Sequence, residues 1–297
     1  LKFQPVSLSR YPAPVRLLAL LVVVMLLWLP LALLLVLGLG DPDRYTLPVM
    51  ALLFALFLLL LPLWGRRVYD EPKLLQRYGL VWSRQGGWEL LQGFGMGSGS
   101  LLLLFGLQGL LGWVTWQLPE ATLLRLAAEG LLVALGIGFA EELVFRGWIL
   151  DELERDYSPR QALLANSLIF AILHFIKPLP EVIRTFPQFP GLVLLALALV
   201  WAKRSTRSKV RTYRSVVLHA GRLGLPVGLH AGLVWGYYLI QVGQLADYTA
   251  RVPAWVTGID GNPLAGVTGL LFLTGLAAYW RHRSQLQGRR CGDSAQL

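Results

Sequence analysis

Apolar residues gather in runs of about twenty along this chain, and most polar residues are confined to the gaps between runs. A helix needs about 20 residues to cross the roughly 30 Å hydrocarbon layer of a bilayer. The pattern predicts eight such helices, at about 17–39, 47–64, 94–116, 127–149, 161–177, 190–202, 224–241 and 264–280, the sixth being short. The expected fold is all-α, a polytopic transmembrane bundle of about eight spans. Pro30, Pro48, Gly106 and Gly109 interrupt the runs, which neighbouring helices tolerate by satisfying freed backbone groups. Gly93, Gly95, Gly97 and Gly99 open the third run at a spacing that favours close helix packing.

Composition agrees with this pattern. The 297 residues are 55% hydrophobic and 15% charged, whereas soluble domains carry about 25% charged residues. A single cysteine, Cys291, rules out a disulfide framework and a cysteine-based metal cluster. The first apolar run is too long for a cleavable signal peptide. A net charge of +10 would suggest nucleic acid in a soluble protein; here it follows the membrane topology, and no nucleic-acid partner is expected. With the N-terminus inside, 22 of the 27 Lys and Arg fall at inner segments, leaving Arg44, Arg125, Lys177, Arg184 and Arg251 outside. That bias predicts cytoplasmic termini and an even number of crossings. Residues 65–92, with Trp82 and Trp88, read as an interfacial stretch. The basic run 203–222 is expected to meet anionic lipid. His219 and His282 lie in basic stretches and are expected at the headgroup level.

Against this background the polar residues inside the runs stand out. Glu141, Glu142 and Arg146 share the fourth run, His174 lies in the fifth and His230 in the seventh. Each ionisable residue at bilayer depth costs at least about 2.5 kcal/mol on insertion scales and marks function by default. Glu142 and Arg146 are four apart, hence on one helix face. Glu141 projects about 100° away, toward a cavity. Adjacent carboxylates in a low dielectric repel, which suits one of them to act as a base. One carboxylate and two imidazoles can activate a water for attack on an amide directly. They can also do so through zinc, for which Glu141, His174 and His230 form a His₂Glu set. Spacing leaves both routes open, with the second histidine also able to serve as an oxyanion donor.

These residues carry a resemblance. EELVFR, from Glu141 to Arg146, resembles the EExxxR signature of the CAAX-protease and bacteriocin-processing (CPBP, or Abi) family of intramembrane proteases. FAILH, from Phe170 to His174, resembles its FxxxH motif, with Ser167 where the family often has serine. His230 stands where its HxxxN motif begins. The likeness covers about 125–240 and implies three parts: 1–126 with N-terminal helices and the interfacial segment, 127–241 with the catalytic core, and 242–297 with a last helix and basic tail. It implies an endopeptidase for membrane-associated or prenylated CAAX-type proteins, with Glu141 as the base, His174 as its partner and His230 on the carbonyl side. A bacterial plasma membrane or an organellar, thylakoid-type membrane is the expected location.

One position departs from the family pattern. Val234 occupies the place of the motif Asn; if that amide holds the oxyanion, its loss costs about 3 kcal/mol. Gly232 and Gly236 beside it are expected to open space there. The departure supports the alternative of a non-proteolytic membrane scaffold or chaperone, and a transporter with a buried coupling carboxylate is a third reading. The pairs Gly38–Asp41 (GLGD) and Tyr69–Asp70 (YD) mimic an aspartyl-protease dyad. The expected topology puts the two aspartates on opposite sides of the bilayer, where they cannot share a proton. No HExxH zinc helix is present in the sequence.

Overall fold

A computed structural model describes residues 8–119, 121–211, 216–219 and 221–292. Lys2 and Arg214, counted above as inner charges, lie outside the described residues. The chain opens with a helical hairpin, α1 (Ala13–Leu39) and α2 (Pro42–Val68), turned at Gly40. Gly40 adopts φ 67° and its N–H closes the helix on Val36 O, a left-handed cap that glycine takes without a Cβ penalty. Both helices have 27 residues, about 40 Å at 1.5 Å per residue, enough to cross a bilayer with tilt. The outer face of α1 exposes Leu18, Leu26, Leu29 and Leu34, and α2 exposes Leu47, Leu59 and Leu63, which suits lipid and would be a liability in water.

A short turn of helix, α3 (Leu74–Arg77), leads to α4 (Arg84–Leu110), whose N-cap Ser83 accepts the Gly86 N–H at 3.0 Å. Residues 84–92 are thus the opening turns of a long helix, and the stretch expected at an interface shrinks to the segment between α2 and α4. Strand β1 (Val114–Trp116) ends this half. Next come α5 (Leu123–Glu142), a π-helical turn over Leu143–Ile149 and α6 (Leu150–Asp156), which form one element of 34 residues. Helix α7 (Pro159–Leu173) starts in a reciprocal Ser158–Gln161 capping box. Then follow α8 (Leu179–Thr185), α9 (Phe189–Arg204) and a ribbon of β2 (Ser208–Arg211) and β3 (Val216–His219). Helix α10 (Gly224–Gln241) ends in β4 (Ala246–Tyr248), which pairs antiparallel with β1. The short α11 (Ala254–Thr257) precedes the final helix, α12 (Val267–Cys291).

All eight predicted segments fall on helices, and the fold is an all-α membrane bundle as expected. Five of its elements are long and apolar enough to cross a membrane by themselves: 13–39, 44–68, 84–110, 123–156 and 179–204. The other three fall short for visible reasons. Helix α7 has 15 residues, about 22 Å. Helix α10 carries four glycines, His230 and Gln241, and α12 becomes basic in its second half at Arg281, His282 and Arg283.

The core lies around α9, where Ala196, Ala198, Leu199, Val200 and Ala202 are fully buried. Helix α10 is held between α4 and α5 by a run of glycines. A Cβ on Gly93 or Gly97 would overlap α10 backbone, and one on Gly228 or Gly232 would overlap α4 backbone. Gly95 and Gly99 face open space. Only alternate glycines of the predicted packing motif therefore make the contact. His230 is two residues from Gly228 and Gly232, roughly 200° around the helix, so glycine packing on α4 turns His230 toward α5.

At one end of the bundle, buried ion pairs tie the elements together. Arg16 of α1 donates to Glu152 of α6 at 2.8 Å, and Tyr69 donates to the same carboxylate at 2.6 Å. Arg204 of α9 reaches Glu154 at 2.7 Å, and Arg222, just before α10, pairs with Glu89 of α4. Burial and the bond to Glu152 push the Tyr69 phenol well above its usual range. With these charges paired, the helix carrying Glu141 continues to Asp156 instead of stopping near 149. Glu141 therefore lies 13 residues before Glu154, about 20 Å in, deeper than a position near the helix end.

Candidate active site

Three helix positions meet: the end of α5, the C-cap of α7 and the second turn of α10. The innermost part is Glu142, which is fully buried with Arg146. Arg146 Nη1 donates to Glu142 Oε1 at 2.9 Å, and Nη2 donates to the Ala196 carbonyl at 3.3 Å. The guanidinium lies 4.4 Å from the ring centroid of Phe170, a desolvated cation–π contact. Glu142 Oε1 also faces Nδ1 of His230 at 2.9 Å. Sequence spacing predicts the pairing of Glu142 with Arg146. The second role of Glu142, as the anchor of His230, emerges only from the fold.

Glu141 points elsewhere. Its Oε2 is 3.9 Å from Nε2 of His174 and 3.9 Å from Nε2 of His230, and it is buried with no hydrogen-bond partner. The two imidazoles are oriented alike. His174 Nδ1 is 2.7 Å from the Phe170 carbonyl; a carbonyl only accepts, so Nδ1 must carry the proton. His230 Nδ1 faces a carboxylate in the same way. In their neutral forms both rings therefore turn Nε2 lone pairs toward Glu141. A water at about 2.8 Å from Glu141 Oε2 and from the Nε2 of either histidine fits each separation of 3.9 Å.

The same donors are of the right type for zinc, and an outward N–H on each ring is usual for metal-bound histidine. Tetrahedral zinc with ligands at about 2.0–2.1 Å holds them roughly 3.3 Å apart. Among the described residues, no group of three His, Cys, Asp or Glu is placed to hold a metal ion.

Several contributors have no motif of their own. The helix widens to a π turn at Leu143–Ile149, a feature frequent at functional sites because it shifts carbonyls out of register. Two of those carbonyls are met by buried polar side chains. Asn166 Nδ2 donates to Phe145 O at 2.8 Å, and Lys203 Nζ donates to Arg146 O at 2.6 Å. Asn166 and Lys203 are at most 1% exposed. A buried Lys in an apolar helix was a readable signal; Asn166 was less so. Phe170 packs its ring 4.5 Å from that of His174, so it orients both the imidazole and Arg146. Gly232 and Gly236, expected to open space beside Val234, are instead packed on α4 backbone and on Leu101. They lie on the far face of α10 from His230.

Residues 123–246 match the family model described as type II CAAX prenyl endopeptidase Rce1-like. The match runs from the start of α5 to β4 and holds Glu141, Glu142, Arg146, His174 and His230. No curated protein and no solved structure matches the chain. This segment is similar to the CAAX-protease family and lies in an integral membrane protein.

Proposed function

We propose that the protein is an intramembrane endopeptidase that hydrolyses a peptide bond of membrane-associated or prenylated proteins with a water activated by Glu141. The observation that carries this reading is the convergence of Glu141 Oε2 with two imidazole Nε2 atoms, each at 3.9 Å. Glu141 takes a proton from the water, whose oxygen bonds to the amide carbonyl carbon while the carbonyl electrons move to its oxygen. His174 accepts the second water hydrogen at Nε2 and so orients the attack. His230, protonated and held by Nδ1–H on Glu142, donates its Nε2–H to the oxyanion. The carbonyl then re-forms, the C–N bond breaks, and Glu141 returns its proton to the leaving nitrogen.

Glu142 faces Arg146 on one side and Nδ1 of His230 on the other, which holds the imidazole in place for this role. Loss of the motif amide at Val234 leaves His230 as the oxyanion donor in this scheme. The charge bias of the loops supports an orientation with both termini in the cytoplasm. The basic end of the bundle would then meet the anionic inner leaflet.

The test is cleavage of a prenylated peptide by the purified protein in lipid vesicles. Glu141→Gln and His174→Ala are each expected to lower kcat/KM by about 10²–10⁴-fold, the usual size of a general acid–base contribution. Parent-like cleavage by either variant refutes the mechanism. Partner capture that survives Glu141→Gln, with no product from the parent, favours the scaffold reading. The outward N–H groups of both histidines also fit a second reading, in which Glu141, His174 and His230 would hold zinc and the ion would supply Lewis-acid polarisation. Metal content of the protein, with and without His174→Ala, decides between the two.

A further inference from the structure

Away from the Glu141 site, a polar cavity lies at the basic end of the bundle, where the first turns of α4 and α10 meet the end of α9 and the second half of α12. Among the described residues its wall holds three guanidinium groups, Arg207, Arg222 and Arg283, and one carboxylate, Glu89. Glu89 is taken up by Arg222, whose Nε lies 2.9 Å from it. Arg207 is 3.6 Å from Glu154, which also serves Arg204 at 2.7 Å. Arg283 has no carboxylate partner among the described residues. The cavity is therefore short of negative charge.

It also holds an unmet donor. Trp280 lines the cavity and is 3% exposed, yet its indole Nε1 has no hydrogen-bond partner. Indole and guanidinium groups only donate, so the fitting occupant is an anion that only accepts. A phosphate diester is such a group, and arginine pairs with phosphate in a favourable fork geometry.

The neighbouring face of α4 indicates what carries the phosphate. Gly95 borders the cavity, and Gly95, Gly99 and Gly106 share one helix face. A Cβ on any of the three meets nothing within 4 Å. Between the exposed side chains of Leu102 and Leu103, this face forms a furrow that runs on from the cavity for about 16 Å. We propose that this is a binding site for an anionic phospholipid, with its phosphate among the arginines and one acyl chain along the glycine face of α4. Attraction of the basic run 203–222 to a charged surface would not need Trp280 and Arg283 of α12 or the glycines of α4, and would not saturate at one lipid. This site needs them and does.

The experiment titrates the full protein in neutral detergent with dioleoyl phosphatidylglycerol or dioleoyl phosphatidylcholine, and native mass spectrometry counts the lipids bound. The first phosphatidylglycerol should bind at least about fivefold more tightly than the first phosphatidylcholine. Arg283→Gln should weaken it about fivefold, the effect of one basic side chain at an anionic lipid. Trp280→Phe keeps a ring, removes the N–H and should cost about threefold or more. Gly99→Leu, which fills the furrow, should also weaken binding. Arg289→Gln removes an equal charge from an exposed position of α12 outside the cavity and should leave the affinity within about twofold of the parent. Arg283 is exposed, so Arg283→Gln decides the matter even where Trp280→Phe lowers stability. Equal affinity for the two lipids, or equal losses with Arg283→Gln and Arg289→Gln, overturns the proposal. If glycerol 1-phosphate displaces phosphatidylglycerol and Gly99→Leu has no effect, the site takes a free phosphate ester and the lipid assignment fails.

Discussion

Removing Glu142 should do two separable kinds of damage. Glu142 and Arg146 are both fully buried and joined at 2.9 Å. At an effective dielectric of about 20 their attraction is roughly 5–6 kcal/mol, most of it offset by desolvation of the two ions. Glu142→Leu leaves Arg146 as an uncompensated buried cation, which costs about 3–5 kcal/mol. The double variant Glu142→Leu with Arg146→Leu removes both charges and should recover most of that loss, because buried ion pairs replaced by apolar residues are often neutral. Activity should not return. His230 loses the acceptor of its Nδ1–H, so its tautomer and orientation are no longer held in either variant. The assay pairs denaturant unfolding in mixed micelles with cleavage of a prenylated peptide. If the double variant is as unstable as the single one, the ion-pair account is wrong. If it regains cleavage, Glu142 does not position His230.

Other consequences are simpler to check. Gly228→Leu should destabilise the protein by at least about 1–3 kcal/mol through overpacking against α4, whereas Gly95→Leu, which faces open space, should be near neutral in the same thermal unfolding assay. Lys203→Met leaves the Arg146 carbonyl without its donor; a loss of about 1–3 kcal/mol with a fall in kcat is expected, and parent-like cleavage would show that the π turn needs no such support. Val234→Asn should raise kcat/KM if the motif amide shares the oxyanion with His230, and unchanged cleavage would show that His230 suffices.

Legibility from sequence followed the cost of burial. Charged residues in apolar runs are expensive wherever they lie, so Glu141, Glu142, Arg146, His174 and His230 announced themselves without coordinates. The pairing of Glu142 with Arg146 was also readable, because helix geometry alone sets which residues share a face. The bond from His230 to Glu142 was not, since 88 residues separate them. Five elements are long and apolar enough to cross on their own, whereas α7, α10 and α12 form helices that are short or polar in part. Their place in the bundle comes from packing against neighbours. Gly232 and Gly236 were misread for the same reason, since composition cannot say which face of α10 meets α4.

By itself, then, the order of residues determined that this chain enters a membrane as helices and that a few ionisable groups lie within its apolar segments. Both conclusions follow from solvation, which acts on each segment separately. Tertiary structure decided the rest: which nitrogen of each histidine faces Glu141, and how Asn166 and Lys203 meet carbonyls displaced by the π turn. Those depend on the close approach of α10 to α4 and α5, and distant segments set that approach only by packing together.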